Sequence, residues 1–132
     1  MEAFVAGFTA LGDISLLMLL VCATLGGVVI GALPGLNATT GAALLLPFTL
    51  TMEPVAAISV LTAIYCSATF AGAITAILIN TPGTSASATT CLDGYPMAVR
   101  GEAGRALGLA VISSTVGGVF SVAVLMLSAP IL

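Results

Sequence analysis

The sequence predicts an all-α fold: a polytopic transmembrane helical bundle with broken or re-entrant segments at Pro-Gly motifs. Charge is the first reason. Only 5% of the 132 residues are charged and 60% are hydrophobic, whereas soluble domains carry about 25% charged residues. The second reason is the length of the uncharged runs. Ile14–Met52 and Pro54–Leu92 are 39 residues each, and Ala106–Leu132 is also uncharged. A straight helix of that length measures about 58 Å, while the hydrocarbon core is about 30 Å thick. Each long run therefore holds a span plus a turn, a re-entrant piece or a loop. The third reason is the placement of Pro34-Gly35 and Pro82-Gly83 within or at the edge of these runs. Pro removes a backbone donor and Gly costs backbone entropy. Broken backbone at membrane depth is tolerated where it is buried in protein or lines a polar cavity.

Taken in order, Met1–Asp13 is a short lead suited to an interfacial helix. It carries two acids and no cation, unlike the basic start of a signal peptide, so Ile14–Leu33 is expected to be a retained span. Pro34–Thr40 (PGLNATT) is a break. Gly41–Met52 is apolar but only about 18 Å long as a helix; Pro47 should kink it, and it either crosses or folds back as a half-span. Glu53-Pro54 starts a helix, with Pro favoured in the first turn. Pro54–Ile79 is long enough to cross with tilt. Asn80–Pro96 is polar and rich in turn residues. Within it Asp93-Gly94-Tyr95-Pro96 reads as a turn, with a gating or coupling-ion carboxylate as the functional alternative. Met97–Arg105 holds Arg100 and Arg105, the only cations. Ala106–Leu132 is the third span, with Pro130 near its end. The chain reads as a single partial transmembrane domain over 1–132.

Arginine is disfavoured in the bilayer interior, and the positive-inside rule puts Met97–Arg105 in the cytoplasm and Glu53 on the outer side. Arg100, Glu102 and Arg105 read as a solvated interfacial cluster, with binding of lipid head groups, a partner or substrate in an inward state as the functional alternative. The spacings Gly27-x-x-x-Gly31, Gly31-x-x-x-Gly35, Ala68-x-x-x-Gly72 and Gly104-x-x-x-Gly108 suit close helix packing. Cys22, Cys66 and Cys91 have no metal spacing, and His is absent, so no metal site and no cofactor is expected. With neither His nor Lys to activate a Ser or Thr, enzymatic chemistry has no base, and no basic footprint for nucleic acid is present.

Two segments have the makings of a site. Asn80-Thr81-Pro82-Gly83-Thr84-Ser85-Ala86-Ser87 offers amide and hydroxyl side chains and Gly-enabled backbone amides. Pro34-Gly35-Leu36-Asn37-Ala38-Thr39-Thr40 has the same ingredients. Amides at a helix start bind anions, so two such elements could grip carboxylates without a cation. The alternative for either segment alone is a turn between helices. The candidate substrate and ion path is Pro34, Gly35, Asn37, Thr39, Thr40, Asn80, Thr81, Pro82, Gly83, Thr84, Ser85 and Ser87.

The series GALPGL (31–36), ATT (38–40), LLLP (44–47), Ile64-Tyr65, ITAILINTPGT (74–84), LDGYPM (92–97) and GRALG (104–108) resembles the start of the large membrane subunit of tripartite tricarboxylate transporters, the TctA family. The likeness runs in order from Asp13 to Leu132. Two positions depart from it: Asn37 where the family commonly has Gly, and Ala71-Gly72-Ala73 where it often has Gly-Gly-Ser. The second puts the substrate range in doubt.

The resemblance implies a multi-pass subunit of the bacterial inner membrane. It implies ion-coupled uptake of citrate-like tricarboxylates or other small organic acids, with sodium or a proton as coupling ion. The implied partners are a small TctB-like membrane subunit and a periplasmic TctC-like solute-binding protein. Its Pro-Gly segments map onto Pro34-Gly35 and Pro82-Gly83. The family's large subunit is several times longer, so the chain is expected to be an N-terminal fragment. A different class of reading is a small non-transporting membrane protein that uses its glycine motifs for helix association.

Overall fold

The computed structural model describes residues 12–128. The expected interfacial lead, apart from its last two residues, and Pro130 lie outside that range. Among the described residues five helices follow one another: α1 (Ile14–Ala32), α2 (Ala38–Thr49), α3 (Pro54–Ile79), α4 (Ala88–Val99) and α5 (Ala103–Ser128), with a 3-10 turn at Ser85–Ser87 before α4. The fold is an all-α helical bundle, and α1, α3 and α5 are long and apolar enough to cross a membrane. Large apolar side chains such as Phe48, Leu50, Phe120 and Leu125 stand exposed on its outer faces, as suits a bundle solvated by lipid.

The central helix is α3, which touches every other helix. It runs parallel to α1, and the glycines show the register. A Cβ on Gly27 would meet the Ile64 carbonyl at 2.8 Å, and one on Gly31 would meet Ala68 Cα at 2.5 Å. Ala23 packs with Val60 and Ile64 in the same seam, joined by Leu45 of α2. The starts of α1 and α3 lie side by side, since Asp13 and Glu53 line one cleft. The short helix α2 therefore carries the chain back: Gly41 lies against Ile30, Leu45 against the Ala23 seam, and Met52 returns to the Asp13 cleft. Helices α1 and α2 thus form a hairpin, in which α1 descends to the level of Ala68 and α2 climbs out again.

Local chemistry builds the tip of that hairpin. Leu36 N–H donates to the Leu33 carbonyl at 3.1 Å, closing a turn with Pro34 second and Gly35 third at φ +96°. Pro pre-sets the first of these angles and Gly alone tolerates the second without strain, the signature of a type II turn. Asn37 then caps α2. Its Oδ1 accepts from the Thr40 amide at 2.8 Å and from the Thr40 hydroxyl at 2.9 Å.

A second hairpin enters from the other side. Helix α3 ends at Asn80, whose φ of 55° is left-handed, a conformation Asn tolerates better than most residues. The amides of Asn80 and Thr81 both fold back onto the Thr75 carbonyl. The chain then reverses as far as Gly83, whose amide donates to the Gly72 carbonyl at 3.4 Å. From there α4 climbs parallel to α3, with Gly94 against Ile77. It closes with a Schellman motif: Gly101 at φ +85°, its amide bonded to the Ala98 carbonyl at 3.0 Å and the Glu102 amide to the Met97 carbonyl at 2.9 Å. Finally α5 runs antiparallel to α3, from Ala106 beside Ile77 to Ser114 beside Cys66 and Phe70.

Several expectations are corrected. Asp93-Gly94-Tyr95-Pro96 is not a turn but lies inside α4. Gly94 is there because α4 presses on α3: a Cβ would stand 2.7 Å from Ile77 Cγ1. Only Arg100–Glu102 of the expected Met97–Arg105 loop is non-helical, and α5 begins at Ala103, three residues before the sequence-based start. Helix α2 likewise begins and ends earlier than 41–52, because Asn37 supplies the cap. Of the glycine motifs, Gly27-x-x-x-Gly31 packs α1 on α3. Gly35 has left the helix, and Gly104 and Gly108 face open space.

Candidate functional site

The two hairpin tips meet. A cavity of about 470 Å³ is lined on one side by Gly35, Asn37, Ala38 and Thr39, and on the other by Pro82, Gly83, Thr84, Ser85, Ala86 and Ala88. Tyr65 and Thr69 of α3 close it. They flank the midpoint of a helix that runs from Pro54 to Ile79, so the cavity sits near the middle of the bundle's depth. Its size is in the range of small-molecule pockets, about 300–1,000 Å³.

Each tip presents the start of a helix. In α2 the Asn37 cap takes the Thr40 amide, and the Gly41 amide bonds to the Asn37 carbonyl at 3.0 Å. The amides of Ala38 and Thr39 are left with no intrahelical acceptor, as at any helix start. At the other tip a capping box fixes the turn. The Ser87 amide donates to Thr84 Oγ1 at 3.3 Å and the Thr84 amide donates to Ser87 Oγ at 3.1 Å. The amides of Ser85 and Ala86 remain. The hydroxyls of Thr39 and Ser85 bond to no protein group among the described residues, although their neighbours Thr40, Thr84 and Ser87 do. Among the described residues no Asp, Glu, Lys or Arg lines the cavity. Its electrostatics come from positive helix ends and neutral hydroxyls, a combination suited to anions.

Of the residues singled out from sequence, Gly35, Asn37, Thr39, Pro82, Gly83, Thr84 and Ser85 line this cavity. Pro34, Thr40, Asn80, Thr81 and Ser87 do not. Pro34 and Asn80 shape the backbone, Thr40 and Ser87 serve the caps, and Thr81 Oγ1 donates to the Ile79 carbonyl at 3.2 Å. Gly83 has a second duty. A Cβ there would meet the Gly31 carbonyl at 2.5 Å and Gly72 Cα at 2.8 Å, so Gly83→Ala tests packing as much as ligand contact. Asn80 is a cleaner case. Asn80→Gly keeps the left-handed end and should leave stability and uptake by the complete protein within about twofold, whereas Asn80→Val strains it by about 1–2 kcal/mol. Thermal unfolding in detergent beside an uptake assay separates the two.

Sequence reasoning missed Tyr65 and Thr69 as cavity residues. The signal available was polarity at i and i+4 on an otherwise apolar helix. Thr69 Oγ1 donates to the Tyr65 carbonyl at 2.7 Å, so its hydroxyl is internally satisfied and reads from sequence as an ordinary helix-tolerated Thr.

Residues 17–132 match the model of the tripartite tricarboxylate transporter TctA family. The chain is 45% identical over 104 residues to an uncharacterized 52.8 kDa protein from the TAR-I ttuC' 3' region of Agrobacterium vitis. The match covers 79% of this chain and 21% of that protein, so the chain spans about a fifth of its relative's length. No solved structure matches the chain. The match runs through both hairpins and the cavity between them, and the chain belongs to the tripartite tricarboxylate transporter TctA family.

Proposed function

We propose that the chain supplies half of a substrate site in the large membrane subunit of a carboxylate transporter. The observation that carries this reading is the meeting of two helix starts, from hairpins entering on opposite sides, at one uncharged cavity near mid-depth. Helix starts gather partial positive charge on unpaired amides, which suits a carboxylate while adding no desolvated cation. Discontinuous helices that point their N-termini at an anionic substrate are a known transporter device. The substrate class is citrate-like tricarboxylates or other small organic acids, and an ion gradient, of sodium or protons, drives uptake. The complete subunit works with a small membrane subunit and a periplasmic solute-binding protein in the bacterial inner membrane. The Arg100–Arg105 face is cytoplasmic by the positive-inside rule.

The test uses Thr39 and Ser85, two cavity hydroxyls at the hairpin tips that have no protein partner among the described residues. Thr39→Val and Ser85→Ala in the full-length subunit, expressed with its partners, remove a donor without disturbing a cap. A hydrogen bond to a charged group contributes about 1.5–3 kcal/mol. Each variant should therefore lower labelled citrate uptake by about ten- to a hundredfold, at unchanged membrane abundance. Undiminished uptake in the double variant would overturn the assignment of this cavity.

A further inference from the structure

The central cavity does not stand alone. It shares Tyr65, Thr69 and Ala86 with a second cavity of about 370 Å³ between α3, α4 and α5. That cavity in turn shares Ala73, Thr90 and Ser114 with a third of about 520 Å³. The third includes Asp93, Met97 and Ala106, residues beside the Arg100–Glu102 connection. Each thus shares walls with the next, and the three line up from mid-depth towards the arginine-bearing end of the bundle.

The side chains at the neck differ from most hydroxyls of these helices. Thr24, Thr62, Thr69, Ser113 and Thr115 each donate to the carbonyl four residues earlier, which is how a hydroxyl is satisfied in lipid. Thr90 and Ser114 make no hydroxyl bond among the described residues, and neither does Ser121 farther along α5, whereas Thr89 donates to the Ala86 carbonyl three residues earlier and Ser113 and Thr115 donate four residues back. Asp93, an ionisable group at the outer cavity, has no salt-bridge partner among the described residues. Unpaired hydroxyls and an unpaired carboxylate along one groove call for water rather than hydrocarbon as their neighbour.

We propose that the groove between α3, α4 and α5 is a water-filled passage connecting the central cavity to the arginine-bearing face, with Thr90 and Ser114 at its neck and Asp93 at its outer mouth. It carries water and small cations to and from the central cavity, and so rests on the function proposed for that cavity. The Asp93 charge makes the mouth favour cations over anions of equal size.

The experiment places single cysteines in a cysteine-free full-length subunit, assembled with its partners in membrane vesicles of both orientations. Membrane-impermeant methanethiosulfonates of either charge are applied, with and without citrate. Ser114→Cys and Thr90→Cys should react from the face where the loop control Gly101→Cys reacts, and citrate should slow them. The cationic reagent should react about three- to tenfold faster than the anionic one, and Asp93→Asn should remove most of that difference. Two results would overturn the passage. One is silence at both neck positions from either side while Gly101→Cys is labelled. The other is labelling that is indifferent to citrate, to reagent charge and to Asp93→Asn. Ala88→Cys, in the lining of the central cavity, separates this failure from that of the substrate site. Protection of Ala88→Cys by citrate with a silent neck leaves the central site standing and removes the passage. Loss of citrate protection at Ala88→Cys, with charge-selective labelling retained at the neck, leaves a water-filled groove and removes the carboxylate site.

Discussion

Gly31→Ala is expected to disable the complete transporter and to lower its thermal stability, while Gly26→Ala, five residues earlier on the same helix, lowers neither. The contrast follows from what each new methyl meets. At Gly31 it would run into the Ala68 carbonyl oxygen, with Ala68 Cα at 2.5 Å and its carbonyl carbon at 2.6 Å. These are backbone atoms of α3, which cannot rotate aside. At Gly26 nothing lies within 4 Å, and Ala is the better helix former by about 1 kcal/mol. Overpacking of a tight seam costs about 1–3 kcal/mol, and an obstruction made of backbone belongs at the upper end. The effect on function should exceed the effect on stability. The Gly31 carbonyl also stands against Gly83, and Gly83 against Gly72, so the seam that joins α1 to α3 also sets the second hairpin tip. Pushing α1 outward separates the two halves of the cavity. Citrate uptake should fall by more than about tenfold for a loss of about 2 kcal/mol or more, and the melting temperature in detergent should fall by several degrees. Gly27→Ala meets Ser67 Oγ and the Ile64 carbonyl and should behave alike, with a double variant that is less than additive because both act on one interface. A Gly31→Ala protein with unchanged melting and uptake would show that α1 does not pack on α3 in this register.

Much of this architecture is legible in the sequence, for reasons that differ by element. The long helices are plain, because an uncharged run of suitable length has few alternatives in lipid. The Pro-Gly breaks are equally plain, because each Pro removes a donor at a place where lipid cannot replace it. That the two breaks would face one another was suggested by their shared composition, but only the pairing of Gly31 with Ala68 and of Gly83 with Gly72 brings them together. Helix α4 was hidden. Asp93, Gly94 and Pro96 carry turn propensities, and those propensities are overridden by the contact of Gly94 with Ile77, a tertiary interaction that no local pattern contains. The same holds for Gly104 and Gly108, whose spacing resembles that of Gly27 and Gly31 but which meet nothing within 4 Å. Spacing alone marks a surface that permits close approach; it does not say that a helix approaches. Gly83 and Asn80 show the reverse limit. Both stand out in sequence as site residues, yet one is held by packing and the other by its left-handed backbone.

The sharpest test of the anion reading is a substitution that changes charge and almost nothing else. Asn37→Asp preserves the cap of α2, since Asp and Asn rank together as N-caps and a carboxylate at a helix start is favoured by the dipole. The Thr40 amide, now 2.8 Å from Asn37 Oδ1, keeps its acceptor. Helix content and thermal stability should therefore hold or rise slightly. The cavity, however, has no cation to offset the new charge. A carboxylate about 5 Å from a bound anion, at an effective dielectric of about 20, opposes it by about 3 kcal/mol, roughly two orders of magnitude in affinity. Uptake of citrate should collapse while the protein stays folded. Asn37→Ser supplies a neutral cap of similar strength and should retain most of the uptake. Asn37→Gly costs only a few tenths of a kcal/mol at a cap and should do the same. The three variants divide the explanations. Loss in Asn37→Asp alone assigns the effect to charge, and so to an anionic ligand between the hairpin tips. Equal loss in all three would assign it to the amide side chain of Asn37. Wild-type uptake in Asn37→Asp would mean that the carboxylate binds elsewhere in the complete subunit, because no folded cavity of this kind could take up a fixed negative charge and still hold a tricarboxylate.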